Sequence, residues 1–516
     1  MVQPVKISRR ESFSERRQST LFVLRMKLVY QSLSLLALPL AVGLVGGCVP
    51  STKVGSARLI SLTPTHRVVP ENRLTALDHY VAKPDPAFAW TVVTNHTLPE
   101  GVTVSSLALT SQTWLTTNEV DRTVWRHWLS VYRPEAVETK TALLFIAGGN
   151  HRDNQPPRPS GELAQIAAAT KSVVAELKQV PNQPLVFVGD GKEREEDEIL
   201  ALGWARYLKT GEERWIGRLP MTKSAVRAMD AITAFCATPG GGQLPVETFT
   251  VAGGSKRGWT TWATAEVDRR VVANAPIVID LLNLEPSFRH HWRAYGFWAP
   301  AVGDYVAEGV MDWQGTPEYH ALLKIEDPFE YRDRLTLPKL MLNACGDQFF
   351  LPDSAQFYFD QLKGPKYLRY VPNADHSLKG SDAYETLAAW HYVVGNQKVA
   401  PQFVWKHPAP GKVQVTYTDR PDSIKLWQAT NPSARDFRLE TLGPKWTSTD
   451  LTLPPDGRLV VTVTAPPTGW TAYMVEATFD VGGPRPLKLT TDVRVVPDVY
   501  PFPPLKVGPH RGFLTR

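Results

Sequence analysis

An α/β architecture, a mostly parallel sheet with crossover helices followed by an all-β region, is the fold class this 516-residue sequence predicts. Three observations carry that prediction. Short apolar runs of the kind buried in a parallel sheet recur between residues 142 and 376. Segments of helical period separate several of them. Beyond residue 400 the helical period disappears, and strand-like runs follow one another between turn residues.

The runs of the first part are "ALLFIAGG" (142–149), "PLVFVGD" (184–190), "TFTVAGG" (248–254), "ANAPIVID" (273–280), "KLMLNACGD" (339–347) and "KYLRYVPNADH" (366–376). The clearest helix between them covers 222–237, with Ala225, Val226, Met229, Ile232 and Phe235 on one face and a stop at Pro239-Gly240-Gly241-Gly242. The later runs are "KVQVTY", "IKLWQAT", "FRLETL", "RLVVTVTAP", "TAYMVEATF" and "LKLTTDVRVV". They predict a β-sandwich of immunoglobulin-like type over 402–516, packed on the preceding domain or presenting a binding face.

The chain begins with seven Lys or Arg against two Glu in residues 1–47, and then "LVYQSLSLLALPLAVGLVGGC". That pattern reads as a secretory signal. Val45-Gly46-Gly47-Cys48 resembles a bacterial lipobox, which implies cleavage before Cys48, its lipidation, and tethering in the cell envelope, in the periplasm or at the outer membrane. Met26-Lys27 makes a normal signal start, so residues 1–25 are a candidate mis-called extension. The formal charge of +6 falls to +1 without residues 1–47, which leaves no charge argument for nucleic acid. Residues 48–75 then form a linker, 76–400 the α/β domain and 402–516 the sandwich. Cys236 and Cys345 are either a disulfide or two buried thiols, and no metal-ligand spacing or cofactor motif is present.

In open sheets of this kind chemistry collects beyond the carboxyl ends of the strands. Ser255 follows one strand and opens a helix in "VAGGSKRGWT". Gly253-Gly254-Ser255 matches the first half of the G-x-S-x-G nucleophile elbow, while Arg257 stands at the second glycine position and Gly258 comes one residue later. Asp347 lies beyond a later strand in "CGDQFFLPDS", and His376 beyond the last in "PNADHSL". Nucleophile, acid and histidine in that order are the α/β-hydrolase order. Asp280, which ends the strand after the elbow, is the rival acid. Asp353 reads as a helix cap and Asp375 as a turn residue. The backbone amides of Lys256 and of Gly149, in "IAGGNHRDN", are the candidate oxyanion donors. An insertion between Asp280 and residue 339, over 281–338, carries His290, His291, Trp292, Tyr295, Phe297, Trp298 and Tyr305 in the position of a lid. "EREEDEI" (193–199) reads as an acidic helix start.

The stretches "SQTWLTTNEVDRTVWRHWLSVYRPE", "IAGGNHRDN", "GDGKEREEDEILA", "RLPMTKSAVRAMDAI", "GGSKRGWTTWATAEVDRRV", "APIVIDLLN", "CGDQFFLPDSAQFYFDQLKG", "PNADHSL" and "GWTAYMVEATF" resemble the PhoPQ-activated pathogenicity-related protein family, from about Leu77 to about Pro501. The resemblance implies an exported α/β-hydrolase, often a lipoprotein, whose triad maps onto Ser255, Asp347 and His376. The elbow is also similar to the G-C-S-R-x-G turn of glucuronoyl esterases, with Gly254 in the cysteine's place and Lys256 in that of an oxyanion-assisting arginine. A lysine is a point charge rather than a planar fork, so Lys256 is expected to cap or solvate the helix start instead. The expected function is a lipid-anchored serine hydrolase cleaving a small-molecule, glycan or peptide ester or amide. The alternative is a secreted signalling or binding protein on a catalytically silent fold. No protein partner is legible.

Overall fold

The computed structural model describes residues 69–515, so the signal segment, Cys48 and most of the linker lie outside the described residues. The chain first lays down an antiparallel meander, β1 (Ala89–Thr97), β2 (Val102–Thr113) and β3 (Val124–Pro134). Next come β4 (Thr141–Ile146) and β5 (Val174–Leu177), then a ribbon of β6 (Leu185–Val186) and β7 (Glu193–Arg194) apart from the main sheet. β8 (Thr248–Gly254), β9 (Val271–Ile277), β10 (Lys339–Ala344) and β11 (Lys366–Val371) complete the parallel part. The spatial order is β1-β2-β3-β5-β4-β8-β9-β10-β11, with every neighbouring pair from β5 to β11 parallel.

This order has a physical consequence for the site. From β4 the chain steps outward to β5 and then returns to place β8 on β4's other side. A crevice opens at such a switch point, because the loops leaving the two strands diverge. The loop after β4 carries Gly148 and Gly149, and the turn after β8 carries Ser255. The full burial of strands β9 and β10 explains why their sequences are mostly apolar, with Asn274 and Asn343 as buried exceptions.

The C-terminal region is β-rich, and its strands are β12 (Phe403–Ala409), β13 (Lys412–Tyr417), β14 (Ser423–Asn431), β15 (Thr447–Asp450), β16 (Arg458–Thr462), β17 (Trp470–Phe479), β18 (Leu487–Thr490) and β19 (Arg494–Val496). β12-β13-β16 form a small sheet, whereas β18-β17-β14-β15 continue the central one. β18 joins β11 antiparallel at Leu368 and Thr490, making a 14-stranded sheet among the described residues. Val413 and Val415 of β13 share an apolar cluster with Val475 and Ala477 of β17 and with Leu340 and Leu342 of β10.

Two local expectations fail. The run at 184–190 supplies only the two residues of β6, and the sheet strand is β5. Pro181 and Pro184 flank that run and cannot donate ladder hydrogen bonds, while Glu176 interrupts the short apolar pattern of β5. "FRLETL" holds a short helix, Leu439–Leu442, in place of a strand. Cys236 and Cys345 are both buried and free. The helix expected over 222–237 runs from Arg218 to Cys236. Among the described residues no helix is long and apolar enough to cross a membrane.

Candidate active site

β8 delivers Ser255 to the start of the helix Lys256–Val267 with φ 58° and ψ −127°, a left-handed conformation that a side chain adopts only under strain. The surrounding glycines explain how so tight a turn fits. A Cβ on Gly253 would lie 2.9 Å from the Arg257 carbonyl oxygen and 3.0 Å from that of Ile146, and one on Gly258 would lie 2.8 Å from Ile279 Cγ2. Gly254 has only ordinary contact, 3.8 Å from Val278. The close-packed glycines are therefore the second before and the third after the serine. That is why Arg257 can replace the usual second glycine.

Asp347 and His376 leave adjacent parallel strands, β10 and β11, and meet. His376 Nδ1 lies 2.7 Å from Asp347 Oδ2, while Asp347 Oδ1 accepts the backbone N–H of Phe349 at 2.7 Å. The His376 backbone N–H donates to Gln348 Oε1 at 2.9 Å, and the rings of Phe349 and Phe350 pack at 4.3 and 5.9 Å from the imidazole. The other ring nitrogen, Nε2, is buried and has no hydrogen-bond partner, Ser255 Oγ included.

The rival acid is placed otherwise. Asp280 is buried and accepts hydrogen bonds from the hydroxyls of Tyr358 and Tyr370, both at 2.6 Å. Burial, opposed by those two hydroxyls, pushes its pKa up to about 8. Asp375 is taken up by the backbone and hydroxyl of Ser377 in its own turn. Asp353 makes no side-chain cap; it binds His290 Nε2 at 2.8 Å and Arg435 Nη2 at 2.6 Å.

Lys256 departs most from expectation. Its side chain is only 6% exposed and neither caps nor solvates the helix start. Its Nζ sits 2.6 Å from Glu196 and 3.0 Å from Asp197, because the acidic helix start is docked against the elbow. Arg257 grips Glu196 through both guanidinium nitrogens, at 2.6 and 2.7 Å. Burial would raise the Glu196 pKa, but Arg257 and Lys256 more than offset it and hold the carboxyl well below its usual range. Glu196 and Asp197 were legible only as a charged helix start; the signal that could have found them is two adjacent basic residues after the serine, which must be neutralised if buried.

The backbone N–H of Lys256 is the first of its helix and has no intrahelical acceptor. Gly148 lies against Arg257, where a Cβ would come 2.7 Å from Nη2, and Gly149 follows at φ 134°. The loop carrying the second candidate donor is thus brought to the elbow. Ser255 and Lys256 also border a narrow pocket whose walls include Trp204, Trp259, Phe288, Tyr305, Phe349 and Phe350. Phe288 and Tyr305 come from the 281–338 insertion, within the helices Leu284–Tyr295 and Gly303–Ala307. Trp204, Trp259, Phe288, Phe349 and Phe350 were not singled out in the sequence. The last two flank Asp347 closely enough to have been.

Autocrine proliferation repressor protein A of Dictyostelium discoideum is 37% identical over 458 residues, covering 83% of this chain and 92% of that protein. Acetyl xylan esterase 1 from Thermoanaerobacterium sp. JW/SL YS485 superposes with a TM-score of 0.44 at 14% identity, over 63% of this chain and 93% of that one. The acetyl xylan esterase from Paenibacillus sp. R4 gives a TM-score of 0.41 at 17% identity, over 58% and 86%. Residues 77–438 match the PhoPQ-activated pathogenicity-related protein family, and with the extended identity to the Dictyostelium protein this chain belongs to that family.

Proposed function

We propose that this protein is a serine hydrolase that cleaves an ester or amide through an acyl-enzyme, with Ser255 as nucleophile, His376 as general base and Asp347 as its orienting acid. The observation that carries this reading is the 2.7 Å Asp347–His376 contact beside an Nε2 with no partner of its own. Apo sites often leave the nucleophile–base hydrogen bond unformed until substrate arrives. His376 Nε2 takes the Ser255 proton as Oγ attacks the acyl carbon, and Asp347 holds the tautomer and steadies the imidazolium. The backbone amides of Gly149 and Lys256 receive the oxyanion. His376 then protonates the leaving group, and a water activated by the same ring releases the acid. Glu196 and Asp197 anchor Lys256 and so fix the helix start. The 281–338 insertion acts as the lid, and the two C-terminal sheets form an immunoglobulin-like sandwich fused to the catalytic sheet.

Ser255→Ala is expected to abolish covalent labelling by a fluorophosphonate probe without unfolding the chain, since a partly exposed elbow serine contributes little packing. Labelling that persists in the variant refutes the nucleophile assignment.

The reading also places the protein outside the cytoplasm, lipid-anchored at Cys48 in a bacterial envelope. Expressed in a bacterium, it should fractionate with membranes, and Cys48→Ser should release it or leave it unprocessed. A soluble cytoplasmic chain that retains residues 1–47 refutes this.

A second reading is favoured by one observation, the name of the 37% identical relative, a proliferation repressor. On that reading this chain is a secreted signalling protein whose hydrolase fold turns nothing over. A folded wild-type protein that the probe never labels supports it.

A further inference from the structure

The pocket beside Ser255 is closed and mostly apolar, and that carries a statement about substrate class. Its aromatic wall is continuous: the Trp204 ring lies 5.8 Å from Trp259 and 5.2 Å from Tyr305. Ile279, Leu281 and Val302 add aliphatic surface, each under 9% exposed. Phe349 and Phe350 close the side toward His376, against whose ring they pack. The pocket therefore begins at the nucleophile and is bounded by the side chains that seat the base. An acyl group bound as a tetrahedral adduct at Ser255 has this space beside it.

The charged groups at the pocket are already committed, while the Trp259 Nε1 in its wall has no hydrogen-bond partner. Lys256 Nζ is shared between Glu196 and Asp197, and the second Asp197 oxygen accepts the Tyr305 hydroxyl at 3.0 Å. Two cations, Lys256 and Arg257, face two carboxylates, Glu196 and Asp197, so the cluster offers no surplus charge to an ionic acyl group. A polyhydroxylated acyl group would lose its water shell here and find too few partners for its hydroxyls, the lone Trp259 Nε1 donor against several of them, and each hydroxyl left unsatisfied weakens binding. An apolar group gains with each methylene it buries.

Resting on the serine-hydrolase reading, we propose that the acyl side of the substrate is apolar and carries no hydroxyls, an alkanoyl or arylalkanoyl group, and that any sugar belongs to the leaving-group side. The pocket as it stands is narrow. On this proposal, admitting the chain requires Phe288, Val302 and Tyr305, which the insertion contributes to the wall, to shift outward.

The test compares kcat/KM on p-nitrophenyl hexanoate, phenylacetate and acetate, together with a methyl glucuronate ester. The expected result is at least a tenfold preference for hexanoate or phenylacetate over acetate and no measurable turnover of the glucuronate ester. Val302→Trp, which narrows the pocket, should lower the hexanoate-to-acetate ratio by at least tenfold. Equal or greater efficiency on acetate, or preference for the glucuronate ester, overturns the proposal while fluorophosphonate labelling upholds the hydrolase reading. If labelling and turnover both fail, the hydrolase reading falls, and the pocket is tested by calorimetric titration of Ser255→Ala with hexanamide and acetamide. Binding of hexanamide alone supports an apolar pocket, and equal binding or none overturns it.

Discussion

Asp347→Asn should lower turnover on an activated ester by about 10⁴-fold in a protein that remains folded, the loss seen when a triad acid no longer fixes the tautomer of its histidine. The geometry favours Asp347 over Asp280 as the proposed acid. Asp347 Oδ2 reaches His376 Nδ1 at 2.7 Å, and its other oxygen is held by the Phe349 amide, so both its orientation and its partner are set. Asp280 spends both oxygens on tyrosine hydroxyls. With its pKa pushed up to about 8 by burial, Asp280 keeps its proton at neutral pH, and a neutral acid offers an imidazolium no opposite charge. Asparagine is close in shape to that neutral acid. Asp280→Asn should therefore change turnover by less than about tenfold, a difference near 1.4 kcal/mol. The sign of its pH effect is also set. Unfolded, an aspartate loses its proton near pH 3.9, while the folded chain keeps this one to about pH 8, so wild-type stability falls across that window. The asparagine variant lacks the fall, and the stability difference should shift in its favour between about pH 4 and pH 8. Kinetics and urea unfolding of both variants decide the matter. A larger turnover loss in Asp280→Asn at unchanged stability makes Asp280 the acid.

The reading from sequence was sound where burial and chain order coincide. Strands β8 to β11 are largely covered on both faces, so their runs stay mostly apolar despite Asn274, Asn343 and Arg369, and the residues that follow each run land at the sheet's carboxyl edge: Ser255, Asp280, Asp347 and His376. Strands β1 to β3 were missed because they form an antiparallel meander whose outer member is largely exposed, with no long apolar run to mark it. β5 was missed because a buried Glu176 sits among its four residues, ion-paired to Lys178. The site's polar surroundings were illegible for a different reason. Whether Lys256 is solvated or buried depends on which helix docks against it, and the docking of Glu196 and Asp197 is a tertiary fact that no local pattern encodes. The same holds for the C-terminal strands. Their alternation predicts a β-region correctly, but not that β18 adds to the free edge of β11.

That fusion gives the last prediction its size. Asp353 is almost fully buried and joins three separate parts of the chain: His290 of the insertion at 2.8 Å, Arg435 of the C-terminal region at 2.6 Å, and, through His290 Nδ1, the Tyr500 hydroxyl at 2.8 Å. Burial would raise its pKa, yet Arg435 and His290 together depress it far below the usual carboxylate range. Exposed pairs such as Lys140–Glu247 contribute about 0–1 kcal/mol. Removing one member of a buried pair leaves an unpaired buried charge and costs about 3–5 kcal/mol. Asp353→Ala is therefore expected to lower stability by that amount, measured by urea unfolding at pH 7. Because the folded-state pKa is depressed, the wild-type advantage is complete above the unfolded value near pH 4 and declines as the pH falls below it. Activity should fall as well, because the same C-terminal segment braces the loops that carry Asp347 and His376. The Leu439 amide donates to the Gly346 carbonyl beside Asp347 at 2.9 Å, and Asn373, three residues before His376, exchanges two hydrogen bonds of 2.9 Å with the Trp446 backbone. Asp353→Leu combined with Arg435→Met removes both charges and should recover part of the lost stability, as apolar replacement of buried ion pairs often does. If Asp353→Ala unfolds within about 1 kcal/mol of wild type, in the range of an exposed pair, the network does not bind the C-terminal region to the catalytic half of the chain.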